Sequence, residues 1–95
     1  MLTIIARPTV DPKRVEQVKQ AMLDLVEATL KEEGCIRYEL HQDNNQTNRF
    51  TFVEAWENRE LWQKHMNGPA IKVFNDRASG GFIGFELNEL TKVSL

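Results

Sequence analysis

The chain has 95 residues, of which 41 % are apolar and 27 % charged, with a net charge of −2. That is enough for one domain spanning residues 1–95. Its interspersed charges leave no basic patch for nucleic acid, and no apolar run approaches the ~18 residues of a membrane-spanning helix. The single cysteine, Cys35, excludes an internal disulfide and a multi-cysteine metal site and points to a reducing, cytoplasmic setting.

The start, Met1 to Arg7, lacks a charged region ahead of its apolar residues, so it reads as a strand and not as a signal peptide. That strand extends from Leu2 to Val10, with its regular part ending near Arg7 because Pro8 has no N–H for a ladder. Asp11-Pro12 is a helix start, and Val15, Val18, Met22, Leu25, Val26, Thr29 and Leu30 then recur at helical spacing up to Gly34, which ends the helix. Cys35 to Gln42 alternates as a second strand, with Ile36, Tyr38 and Leu40 on one face. The polar run Asp43 to Asn48 makes a hairpin with a third strand, Arg49 to Trp56. Asn58 caps a helix that Asn67-Gly68-Pro69 breaks and restarts, and Ile71, Phe74, Asn75 and Ala78 give its second part an inward stripe. After Ser79-Gly80-Gly81, a last strand extends from Phe82 to about Val93. Ile83, Phe85 and Leu87 alternate there, and a slip of phase towards Leu90 suggests a bulge or bend near Asn88-Glu89.

This order predicts an α+β, ferredoxin-like split βαβ fold with one antiparallel sheet and its helices on one face. A domain this small buries only ~60–65 % of its unfolded surface, so a second copy covering the other sheet face would help. The stretch from Phe50 to His65 carries the chemistry. Phe50, Phe52, Glu54 and Trp56 share one strand face, which puts a carboxylate in a row of aromatic rings. On the following helix, Leu61, Trp62, His65 and Met66 fall on one stripe, so an imidazole also faces apolar surroundings.

Glu33-Gly34-Cys35 with Tyr38, then Phe52, Glu54, Trp56 and His65, resemble the antibiotic biosynthesis monooxygenase (ABM) family over nearly the whole chain. The resemblance implies a dimeric α/β barrel of two face-to-face sheets, a homodimer in which each protomer has its own pocket between sheet and helices. Enzymes of the family include cofactor-independent monooxygenases of quinols or polycyclic phenols, haem-degrading enzymes, and isomerases of a phosphorylated signalling sugar. The haem branch carries an Asn on the first strand and a ligand His late in the last helix. Here those places offer Thr3, Ala6 and Arg7, and Phe74, Asn75 and Asp76, so haem is set aside. His65 matches the quinol-oxidising and isomerising members, and Trp56 favours the oxygenase side.

The candidate catalytic residues are therefore His65 and Glu54. A histidine gives or takes a proton near neutrality, and a carboxylate among rings has a raised pKa that suits proton abstraction or orients the imidazole. Each also has a purely structural reading: a satisfied core histidine, and a carboxylate in an ion pair with Arg37, Arg49 or a partner-chain Lys, or at a dimer interface. Tyr38, Phe52, Trp56 and Phe74 would stack on a small aromatic or quinone-like molecule, or simply fill the core. Cys35 has no neighbour that would activate it, His41 belongs at the surface, and two distant histidines make no metal site. No cofactor is expected. The leading reading is a cofactor-independent oxygenase. The alternatives are an acid–base isomerase of a small oxygenated metabolite, which would work without oxygen, and a non-enzymatic stress-related binding domain.

Overall fold

Alternating apolar residues build four strands that line up antiparallel, and the computed structural model of the chain describes them within residues 1–94. The elements are β1 (Leu2–Val10), a 3-10 turn (Pro12–Arg14), α1 (Val15–Thr29), β2 (Cys35–Gln42), β3 (Phe50–Trp56), α2 (Arg59–Met66), α3 (Pro69–Ala78) and β4 (Phe82–Leu90). The sheet order is β2-β3-β1-β4, the ferredoxin-like arrangement. Ile4, Ala6 and Val10 of β1, Tyr38 of β2, and Phe50, Phe52 and Trp56 of β3 pack against Val18, Met22 and Leu25 of α1 and Trp62 of α2 to form the core. The other sheet face carries no helix, and Thr3, Ile5, Thr51 and Val53 are only half-buried there.

Several elements depart from the sequence expectation for identifiable reasons. β1 continues through Pro8 although it is a central strand. The Val10 N–H donates to the Asn48 carbonyl at 2.8 Å, on the β3 side. Strand alternation puts the missing Pro8 donor on that same side, beyond the last rung of the β1–β3 ladder at Ala6–Phe52, so no sheet bond is lost. α1 ends at Thr29 with Leu30 as its cap, not at Gly34. Gly34 instead has φ +83° and turns the chain into β2, where an added Cβ would lie 2.8 Å from Leu61 Cβ. Ile36 does not share the Tyr38 face. The β2–β3 register shifts between Cys35 and Arg37, and Ile36 is 54 % exposed. β4 ends at Leu90 and is regular through Asn88-Glu89, with its one register shift opposite Thr9/Val10. Leu90 pairs with Thr3 on the uncovered face while Leu87 pairs with Ala6 on the helix face, so the slip of phase is a change of face and not a bulge.

The helix starts follow the sequence reading. Asp11 accepts from the Lys13 N–H at 2.9 Å, and Asn58 accepts from the Leu61 N–H at 2.9 Å. Pro69 opens α3. Among the described residues no helix is long and apolar enough to cross a membrane.

Candidate active site

Three helices do not cover four strands. Where α3 faces β1 and β4, a hollow of about 320 Å³ remains. Tyr38, Phe52 and Glu54 form its sheet wall, Phe74 and Asn75 its α3 wall, and Phe82, Phe85 and Leu87 its β4 side. Tyr38 and Glu54 are cross-strand neighbours in the β2–β3 ladder, so they meet on this face by register.

Glu54 is 4 % exposed. Among the described residues its one hydrogen bond comes from the Trp56 indole, Nε1–H to Oε1 at 2.9 Å, two residues on along the same strand face. Burial pushes its carboxyl up to about 7, and the indole N–H only partly opposes this because it favours the charged form. None of the anticipated ion pairs with Arg37 or Arg49 forms. Arg37 instead pairs with Glu39 at 2.8 Å on the exposed side of β2. The Glu54 carboxyl therefore titrates near neutrality inside an aromatic hollow. The Tyr38 phenol is pushed far above its ordinary 10 by burial, then by the Glu54 charge, so it stays a neutral hydroxyl. Burial likewise raises the Cys35 thiol, which keeps it unreactive.

His65 is 3 % exposed and stands one layer behind the hollow's wall. Its ring centroid lies 4.8 Å from that of Trp56 and 5.4 Å from that of Tyr38. The expectation that Glu54 orients this imidazole is corrected: Glu32 Oε1 lies 2.6 Å from His65 Nδ1. Burial lowers the His65 pKa and Glu32 only partly restores it, so the neutral imidazole donates from Nδ1 and keeps a buried lone pair on Nε2. Glu32 belongs to the turn between α1 and β2, and the close approach of Gly34 to Leu61 brings that turn against α2. Sequence reasoning missed Glu32 because a turn has no periodicity to mark a side chain that points inward.

Of the six residues singled out from the sequence, Tyr38, Phe52, Glu54 and Phe74 line the hollow. Trp56, fully buried, and His65 support that wall from behind. No group of three or more His, Cys, Asp or Glu among the described residues is arranged to hold a metal ion.

A profile of the family described as "Antibiotic biosynthesis monooxygenase" matches residues 1–77, and the chain belongs to that family. Among solved structures, PA3566 of Pseudomonas aeruginosa superposes with a TM-score of 0.92 at 26 % identity, over 98 % of this chain and 94 % of that one. Among curated proteins, the uncharacterized protein sll1783 of Synechocystis is 29 % identical over 69 residues, 73 % of this chain and 47 % of that protein. The mouse N-terminal EF-hand calcium-binding protein 1 is 29 % identical over 87 residues, 92 % of this chain and 24 % of that protein. The chain thus spans about half the length of the first curated relative and about a quarter of the second.

Proposed function

We propose that this member of the antibiotic biosynthesis monooxygenase family oxidises a small quinol or phenol with dioxygen and no cofactor, using Glu54 as the general base. The observation that carries the reading is the buried Glu54 carboxyl, raised to about 7 and set in the wall of an aromatic hollow. A base that titrates near the working pH takes a phenol proton most effectively. The phenolate passes one electron to dioxygen, and the phenoxyl–superoxide pair joins at a ring carbon to form a C–O bond. Cleavage of the O–O bond leaves one oxygen on the ring and releases the other as water. For a quinol, the balance is quinol plus O₂ to hydroxyquinone plus water, so the substrate supplies all four electrons. The hollow's apolar wall shields the radical pair from bulk water. Phe52 and Tyr38 stack on the ring and Phe74 bounds it from α3, while Trp56 and the Glu32-held His65 keep the wall and the carboxylate in place.

Oxygen uptake by the purified protein with menadiol under air, set against the uncatalysed background, tests this. Uptake above background that disappears in Glu54→Gln is the expected result, and uptake no faster than background across several quinols refutes it. Turnover that persists under strict anaerobiosis identifies the isomerase alternative, since Glu54 would then shuttle a proton with no oxygen consumed. The proposal includes a homodimer in a reducing, cytoplasmic setting. The helix-free sheet face with its half-buried Ile5 and Val53 supports the second copy, and sedimentation equilibrium tests it.

A further inference from the structure

A second hollow, of about 450 Å³, lies between α1 and α3. Small side chains leave it open: Ala21 and Ala28 on α1 face Ala70 on α3, and the Asp24–Arg77 ion pair at 2.7 Å joins the two helices beside it. Leu25 and Phe74 line this hollow and also line the one that holds Glu54. The two spaces are thus neighbours that share one wall. Leu25 is buried in the core, whereas Phe74 is half-buried and rests its ring on Phe82, centroid to centroid 5.8 Å. We propose that Phe74 is the specificity-determining partition of the site: it closes the Glu54 hollow off from the α1–α3 hollow and so limits how long a fused-ring phenol the site accepts. The inference rests on the reading of the Glu54 hollow as a phenol site.

The volumes give the reason. Binding sites for small molecules run from ~300 to ~1,000 Å³. The Glu54 hollow alone lies at the bottom of that range, and opening it into its neighbour moves it to the upper part. A longer fused-ring phenol that places its hydroxyl at Glu54 would drive its far ring into Phe74. A ring standing in the shared wall rejects an oversized ligand through steric overlap, and its removal relieves that overlap. With the Phe74 ring removed, the far ring can enter the space between Ala21, Ala28 and Ala70, at whose rim Asp24, Arg77 and Glu32 stand.

Binding measured anaerobically by ligand fluorescence, with no turnover required, tests the proposal. The probes are 2-naphthol and its three-ring homologue 2-anthrol. The wild-type protein is expected to bind 2-naphthol and to disfavour 2-anthrol by about tenfold or more, and Phe74→Ala to reverse the preference by at least about tenfold. Phe74→Leu, milder in case Phe74→Ala folds poorly, shifts it in the same direction. Ala70→Leu fills the second hollow, so adding it to Phe74→Ala abolishes the gain for 2-anthrol. A wild-type protein that binds both phenols equally, or a preference that Phe74→Ala and Phe74→Leu leave unchanged, overturns the partition while the phenol site stands. If the wild-type protein binds neither phenol, the phenol site and the partition fall together. The expected size selection without oxygen uptake on any quinol refutes the oxygenase reading alone.

Discussion

Glu54→Gln should stabilise the protein and abolish its activity. The carboxyl's rise from an ordinary 4.5 to about 7 means that the folded chain holds a proton the unfolded chain has already lost between those values. Bound protons then favour the folded state, and stability declines as pH rises through that window. Below about 4.5 both states are protonated and the effect vanishes; above about 7 it is complete. At ~1.4 kcal/mol per tenfold change, the full cost is about 3 kcal/mol, an upper figure because the site relaxes when charged. Glutamine removes the titration and keeps an oxygen to accept the Trp56 indole N–H, so the variant avoids that cost. Thermal unfolding of both proteins from pH 4 to pH 8.5 is the assay. The variant's advantage should be near zero at the acid end and grow to on the order of 10 °C at pH 8, since 1 kcal/mol moves Tm by ~4–8 °C in a domain of this size. The same substitution should lower kcat for quinol oxidation by ~10²–10⁴-fold, the usual contribution of a general base. A difference between the two proteins that stays flat across pH 5 to 8 would refute the reasoning, because Glu54 would then titrate as an ordinary carboxylate.

Trp56→Phe removes the one hydrogen bond that favours the Glu54 anion, so the alkaline shift of Glu54 grows and the pH optimum of oxygen uptake moves upward; an optimum that stays put or moves down contradicts the assignment. Glu32→Ala leaves the buried His65 Nδ1–H without an acceptor and should cost about 1–3 kcal/mol in urea unfolding, with Glu32→Gln recovering most of it. In the same pair, NMR titration of the imidazole should show a midpoint below the ordinary 6.5 in the wild-type protein and lower still in Glu32→Ala, since the carboxylate is what holds it up. Gly34→Ala forces a Cβ onto Leu61 at a positive φ and should cost about 2 kcal/mol or more, read as a lower Tm.

Much of the fold was legible because its signals are local. β2 spans Cys35–Gln42 as its alternation predicts, and Asn58 and Pro69 each start a helix where their side chains serve that role. The departures come from information that a single strand or helix does not carry. Pro8 sits within a central strand because β3 has already stopped pairing there, which is a fact about β3. Ile36 leaves the Tyr38 face because of an irregular rung, and a period of two cannot encode one. In the site, Phe52, Glu54 and Trp56 were placed on a common face by alternation alone. Which side that face looks towards was decided by the helix layer. Glu32 was invisible because its partner lies 33 positions away and nothing in its own neighbourhood requires it to face inward.

The site's position follows from the same geometry. α1 lies over β2 and α2 over β3, while β4, the edge strand on the other side, has β1 as its neighbour and keeps Phe85 61 % exposed. An uncovered edge strand beside a short helix leaves space, and the residues next to it on β2 and β3 are those whose register brings Tyr38 opposite Glu54. A carboxylate in such a place is costly unless several donors surround it. Glu54 has one, supplied from two residues along its own strand, which a rigid ladder holds in fixed register. One donor is too few to keep the carboxylate charged at all pH values and enough to fix its orientation. The strand thereby presents a base that is both aimed and able to change its protonation state near neutrality. A second donor would lower the carboxyl's pKa further and weaken it as a proton acceptor, so the single donor is what the proposed general-base role requires.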